Sequence, residues 1–489
     1  MKIRYFKYIL AVSGILALGS CKKFFDINKD PDALSSDYKL YPQLISNSAV
    51  RIGFEGGSEL FRWPALFMQQ LSGEASQPNQ TYEYYRYNLT PTDVNNAWNN
   101  AYNNSLSDLE LVIKQATADG SPNYAGIAKI LKAYEFSLII DAWGDVPYTE
   151  AFQLSANTSP AYDDDASIYP KLIQLLTEAV ADVNNLTNVQ TPGVNAIYYA
   201  NANFATARPF WVKLANTLRL RLLLHYSKKD PAFLTAQMNA LIGSGATFFA
   251  SNADNFACPF YNSANQRNNI SAFEVSRPNY LFADARMLAL MNTKVDPRRA
   301  FYFTDFPVGS GTYVGVSAAA PPVAPNNNYS RDHVFLRGTV TTPAVGTNSA
   351  VYSGAASQRI LTYTEYCFIR AEATLMYGVS AAPLAAAQDW FAAGITASMT
   401  EAGVSGANTT TYLAANGTLT GTNAQKLQQI MEEKYIALFG VPMESWSDYR
   451  RTGYPSISVP TNKVSQVTGV PRSLLYPQAE VDLNPNLPG

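Results

Sequence analysis

Residues 124–142 read YAGIAKILKAYEFSLIIDA, and Ile127, Leu131, Tyr134, Leu138 and Ile139 fall on one face of a helix. Upstream, from Val94, the residues Trp98, Ala101, Tyr102, Ser105, Leu109, Val112 and Ile113 keep the same register, with Thr92 and Asp93 placed to cap the helix. Downstream the pattern recurs over Ile168–Leu186, Pro209–Tyr226, Ile360–Tyr377, Pro383–Met399 and Ala424–Phe439. Asp163, Asp164 and Asp165 precede the helix at Ile168, where carboxylates favour its dipole. Three carboxylates are too few oxygen ligands for calcium. Helices of this length with short connectors predict an all-α fold, a tetratricopeptide-like scaffold of stacked antiparallel pairs, although no repeat of fixed period stands out.

Two stretches depart from the pattern. Residues 245–358 are rich in Asn, Ala, Gly, Pro and Tyr, with one predicted helix near Tyr280–Met291, and residues 452–489 are Pro-rich and polar. Loops of that length are functional or disordered, and their aromatic content favours folded, ligand-facing segments. The expected organisation is a single domain over 21–489. Its helical scaffold spans about 38–244 and 359–451, and its irregular lobe 245–358 and 452–489.

Residues 1–20 read as a signal peptide. Lys2, Arg4 and Lys7 precede an apolar run from Tyr8 to Leu18, too short to span a bilayer as a helix. Leu18-Gly19-Ser20-Cys21 then resembles the bacterial lipobox, which implies lipid on Cys21. The alternative, ordinary signal cleavage, prefers a small residue at Leu18. Cleavage would take the net charge from −2 to about −5, and no basic patch remains for a phosphate backbone, so nucleic acid is not an expected partner. Cys258 and Cys367 read as two buried thiols, with one disulfide as the alternative. His225 and His333 are the sole histidines, which excludes a His-rich zinc site. The 31 Tyr, 24 Phe and 6 Trp, many of the Tyr beside Asn, Gln and Pro, suit carbohydrate or peptide recognition.

Several blocks resemble SusD/RagB-type nutrient-binding lipoproteins of Bacteroidetes. They are CKKFFDINKDP (21–31), WNNAY (98–102), DAWGDVPY (141–148), ILTYTE (360–365) leading to RAEA (370–373), EKYIALF (433–439), ESWSDYRRTGYP (444–455) and RSLLYP (472–477). The resemblance implies a tetratricopeptide-like fold and a protein at the outer surface of the outer membrane. Its implied partners are an oligosaccharide or peptide ligand, a SusC-like TonB-dependent transporter, and the membrane through the lipid on Cys21. Neither a cofactor, a metal nor a catalytic residue is expected. Within these blocks Gly144 to Pro147 ends a helix. Glu433, Glu444, Asp448, Arg450 and Arg451 are expected to pin the late helices to the lobe through ion pairs.

The candidate ligand residues lie in the irregular aromatic segments, because sugars pack C–H faces on aromatic rings and pair hydroxyls with amides and guanidinium groups. They are Trp63, Tyr82, Tyr84, Tyr85, Arg86, Trp98, Arg277, Asn279 and Tyr280. Trp63 also reads as core, Tyr82 and Tyr84 as one face of a short strand, and Trp98 stands in helical register with Tyr102. A glycoside hydrolase would need two carboxylates about 5–10 Å apart across a cleft, for which Glu83 and Glu274 are the nearest candidates.

Overall fold

A computed structural model describes residues 39–73, 79–193, 198–199, 202–317, 329–344 and 350–488, so the signal peptide and Cys21 lie outside the described residues. Residues Tyr41–Gly489 form one compact unit. Its first half runs α1 (Tyr41–Glu55), α2 (Glu59–Phe67), α3 (Gln80–Tyr85) and α4 (Asn95–Ala101). A π-helical turn at Tyr102–Leu106 continues α4 into α5 (Ser107–Ala118), followed by α6 (Pro122–Trp143), α7 (Asp165–Asn184), α8 (Phe204–His225) and α9 (Pro231–Gly243). The lobe carries α10 (Asn269–Ser276) and α11 (Ala285–Thr293). The chain then returns as α12 (Tyr363–Tyr377), α13 (Ala387–Ala402), α14 (Gly406–Asn416), α15 (Asn423–Ala437) and α16 (Pro442–Thr452).

Successive helices pack as pairs, α5 on α6, α6 on α7, α7 on α8 and α12 on α13. Helix α6 is buried around nearly its whole circumference, which a helix achieves only when apolar on every side. Gly126 sets how closely α6 and α7 approach. A Cβ there would lie 2.7 Å from Val183 Cγ2 and 2.9 Å from the Ala179 carbonyl oxygen. Gly126→Ala should therefore destabilise the fold by about 1–3 kcal/mol, although alanine favours a helix by nearly 1 kcal/mol. Urea denaturation measures the difference, and an unchanged midpoint would contradict this packing.

Among the described residues, three two-stranded antiparallel sheets form, and two of them stitch the irregular segments to the scaffold. Leu71–Ser72 pairs with Phe282–Ala283, and Phe256–Cys258 pairs with Gln358–Leu361. Val340–Thr342 pairs with Val351–Tyr352 within the lobe. The first two pairings correct the sequence expectation. The helix anticipated at Tyr280 starts only at Ala285, where Asp284 caps it through the Arg286 N–H, because Phe282 and Ala283 are taken by their strand partner. Ile360 likewise belongs to a strand, and α12 begins at Tyr363 behind the Thr362 cap. Helix α13 starts at Ala387, four residues after Pro383.

Capping also differs from expectation. Asp93 does not cap α4 but accepts from the Thr90 N–H and the Tyr84 hydroxyl. Asp164 caps α7 through the Ser167 N–H, while Asp163 accepts the N–H groups of Tyr148 and Thr149. Gly144 ends α6 with φ of 85°, as its sequence predicts. Cys258 and Cys367 are free, buried thiols. Among the described residues no helix is long and apolar enough to cross a membrane.

Candidate functional site

Residues Gln80–Tyr85 are helical where alternation allowed a strand. Asn79 caps α3, its side chain accepting from the N–H groups of Thr81 and Tyr82 at 3.0 and 3.2 Å. Helical spacing then separates the tyrosines. Tyr84 and Tyr85 point inward, Tyr84 donating to Asp93 at 3.0 Å with its ring edge-on to Trp63, and Tyr85 bonding to the Ser317 hydroxyl at 3.2 Å. Burial raises both phenol pKa values. Trp63 is 0% exposed. Trp98 is buried against Tyr102 and Trp143, at ring-centroid distances of 4.7 and 5.3 Å. These four expected ligand residues are core, with no face turned to solvent.

The other five are half-buried or exposed. The Thr81 hydroxyl donates to the Tyr280 carbonyl, which sets the 277–280 segment beside α3. Tyr82 is half-buried, with the Arg86 guanidinium 5.7 Å from its ring centroid. Arg86 Nε donates to the Asn462 carbonyl at 3.0 Å, and its own carbonyl accepts from the Val464 N–H at 3.0 Å. The Asn462 amide donates to the Tyr82 hydroxyl at 3.4 Å, so the C-terminal segment fixes both side chains. Arg277 is exposed and stacks over Phe273 at 5.4 Å, and Tyr280 meets the same ring edge-on at 5.8 Å. Asn279 adopts φ of 70° and accepts from Arg331.

The two candidate acids do not build a hydrolytic pair. Glu83 is engaged by the Asn88 amide at 2.6 Å and by Arg86 at 3.5 Å. Glu274 is 3% exposed, and burial together with Asp332 pushes its carboxyl pKa up to about 8. A carboxyl sealed from solvent cannot reach a substrate.

In a second cluster, inside the scaffold, the sequence reading names Glu444, Asp448, Arg450 and Arg451 but not the partners they meet. His225 at the end of α8 lies between Asp141 of α6 and Glu444 of α16, with each ring nitrogen 3.1 Å from one carboxylate. Burial opposes charge on the ring, but the two acids outweigh it and raise its pKa to about 10. The donor atoms of Asp141, His225 and Glu444 lie within 4.8 Å of one another, a spacing a metal could use. The geometry argues against one. The two ring nitrogens face opposite carboxylates, so an ion on either nitrogen would forfeit the other acid. The imidazolium is itself the bridging cation.

Around it the charges balance. Glu444 also meets Arg221, which makes a bidentate pair with Glu365 at 2.6 and 2.5 Å. Lys434 pairs with Asp448 at 2.7 Å, and Arg451 with Glu372 and Asp448. Arg450 stands 3.7 Å from Asp141. Five carboxylates thus face five cations once His225 carries its proton. Neutrality matters because a lone buried charge costs several kcal/mol. The network joins α6 and α8 to α12, α15 and α16. Of the late charged residues expected to reach the lobe, Glu433 does so by ion pairs with Arg298 and Lys294, and Arg450 by a hydrogen bond to the Arg472 carbonyl; the other ion pairs hold helix to helix.

The helical architecture and these buried motif blocks have counterparts. A family model described as starch-binding and associating with the outer membrane matches residues 41–477. The chain belongs to this SusD-like family. Solved structures superpose on most of the SusD-like chain. A chitin-binding protein is 24% identical with a TM-score of 0.73, covering 91% of this chain and 93% of its own. A chitin-binding SusD homologue from Flavobacterium johnsoniae is 22% identical with a TM-score of 0.73, at 91% and 93% coverage. A SusD homologue from Bacteroides uniformis is 21% identical with a TM-score of 0.71, at 92% and 94% coverage. At these identities the likeness establishes the SusD fold, with its tetratricopeptide-like helices. No curated protein matched the sequence.

Within the SusD-like motif blocks, the signal for the buried network was present but ambiguous. Arg219, Arg221 and His225 interrupt a leucine-rich stretch of α8, and Glu365, Arg370 and Glu372 sit among the apolar residues of α12. A charge in a core register announces a buried partner, but which partner depends on tertiary packing.

Proposed function

We propose that this SusD-like protein is a non-catalytic glycan receptor, tethered to the outer membrane through lipid on Cys21, that passes oligosaccharide to a SusC-like TonB-dependent transporter. One observation carries the reading: two distant segments, one with Tyr82 and Arg86 and the other with Arg277, Asn279 and Tyr280, are joined by the Thr81–Tyr280 hydrogen bond and leave all five side chains at least partly exposed. Tyrosine rings beside guanidinium groups offer a stacking face together with fixed donors, the combination a sugar ring and its hydroxyls require. The family's starch-binding description and the chitin-binding names of two relatives support a saccharide as the ligand class.

Calorimetric titration with malto- and chito-oligosaccharides tests it. Tyr82→Ala and Arg277→Ala should each weaken binding about tenfold, the scale of 1.4 kcal/mol. Binding of peptides but not of either saccharide series, or full affinity in both variants, would overturn the proposal.

A further inference from the structure

A cleft of about 480 Å³ opens above the buried network, away from the Tyr82 surface in sequence and in its lining residues. Its floor includes His225, Tyr169 and Ser447; one wall is the first turn of α7, and the opposite rim carries Lys228, Lys229, Arg450 and Arg472. Tyr226 also lines it, its ring edge-on to Phe233 at 5.7 Å and tilted against Tyr169 at 6.0 Å. The volume suits a small ligand, since ligand clefts hold about 300–1,000 Å³.

The charges on the two walls are not equivalent. On the α7 wall Asp164 is used by the helix itself, accepting the Ser167 N–H at 3.1 Å, with Asp165 beside it. Of the rim cations, Lys228, Lys229 and Arg472 have no such use. Arg450 completes the neutral network, its guanidinium fixed by the Asp141 and Arg472 carbonyls and 4.4 Å from the Trp446 ring centroid. Lys228 and Arg472 donate only to the Arg450 carbonyl, at 3.4 and 3.0 Å. Among the described residues, no carboxylate lies within ion-pair distance of Lys228, Lys229 or Arg472. Three cations without counter-charge therefore converge on a cleft that also offers a tyrosine ring.

We infer that this cleft is a second binding site, which takes the anionic group of an acidic saccharide, a uronate carboxylate or a sulfate ester, between Lys228, Lys229 and Arg472 with the sugar against Tyr226. The sugar part of the inference rests on the glycan reading above; the charge part does not. A planar guanidinium matches the two oxygens of a carboxylate or sulfate, and the lysines add charge without fixed geometry.

The experiment uses the full lipidated chain in detergent. Binding of a trigalacturonate is compared with that of its neutral methyl ester, and binding of a sulfated trisaccharide with that of its unsulfated parent. At least one acidic probe should bind tenfold or more tighter than its neutral counterpart and weaken as salt is raised. Whichever pair responds identifies the anion. The preference should vanish in Lys228→Glu/Lys229→Glu/Arg472→Glu, three exposed positions, and persist in Tyr82→Ala. Acidic and neutral probes binding alike in the wild type, or a preference unchanged in the triple variant, would overturn the inference. Loss of malto- or chito-oligosaccharide binding in Tyr82→Ala reports on the first surface separately, so failure of one reading is distinguishable from failure of the other.

Discussion

Arg298→Met should lower the stability of the fold by about 3–5 kcal/mol, the cost of stripping a buried acid of its counter-ion. Arg298 is 0% exposed, and its guanidinium is saturated. It donates to Asp296 at 2.5 Å, to Glu433 at 2.9 Å and to the Ser398 hydroxyl at 2.9 Å, and lies 5.4 Å from the Tyr412 ring centroid. Asp296 and Glu433 are themselves wholly buried, and beyond Arg298 the remaining cation is Lys294, 3.0 Å from Glu433. Burial alone would raise the Glu433 pKa, but Arg298 and Lys294 bring it below the ordinary value. Without Arg298 that balance reverses, so the variant should recover part of its stability as pH falls and Glu433 takes a proton. Urea midpoints from pH 5 to 8 measure both effects. A loss under 1 kcal/mol with no pH dependence would show that the guanidinium is dispensable. A triple apolar replacement, Arg298→Met with Asp296→Leu and Glu433→Leu, should be milder than the single change, because no buried acid is then left unpaired.

The same contrast explains what was legible in the sequence. Helix α7, apolar on one face, and α6, apolar on nearly every side, could be located from their residues alone, because long apolar runs and one-face periods are both local features. Helices α1, α2, α9 and α14 are not among those the sequence reading names, and the strand at Phe282–Ala283 depends on Leu71–Ser72 lying beside it. Tertiary contacts of that kind leave no local mark. The family blocks carried the fold further than periodicity could, since EKYIALF and ESWSDYRRTGYP place the charges of α15 and α16 that meet α6, α8 and α12. For the candidate ligand residues, composition could not separate those with exposed faces from those in the core. In QTYEYY (80–85) three tyrosines look alike, and only the helical turn set by Asn79 decides that Tyr82 faces out while Tyr84 and Tyr85 face in.

His225 and His333 should occupy opposite protonation states at neutral pH, with a consequence for stability above it. Burial and the neighbouring Arg337 hold the His333 pKa below the ordinary imidazole value, and its Nδ1 lies 2.6 Å from the Tyr352 hydroxyl. His225 is held at about 10 by Asp141 and Glu444 against the effect of burial. The sign follows from linkage: a base whose pKa is raised on folding stabilises the fold fully below its unfolded pKa, and that contribution disappears as pH climbs through the folded value. The window here runs from the ordinary imidazole value of 6.5 up to about 10. Each pKa unit is worth about 1.4 kcal/mol, so the imidazolium contributes on the order of 4 kcal/mol at pH 6 and almost nothing near pH 10. His225→Gln keeps a hydrogen-bonding side chain but removes the charge, and Asp141 and Glu444 then confront each other across it. The variant should be less stable by about 3–5 kcal/mol at pH 6.5, and its deficit should shrink steadily between pH 7 and 10 as the wild type loses the same charge. With two histidines in the chain, nitrogen chemical shifts after selective histidine labelling resolve both rings. One ring should remain doubly protonated past pH 9 while the other is neutral at pH 7. An ordinary titration of His225 near pH 6.5, or a deficit constant from pH 7 to 10, would show that the network does not depend on its charge.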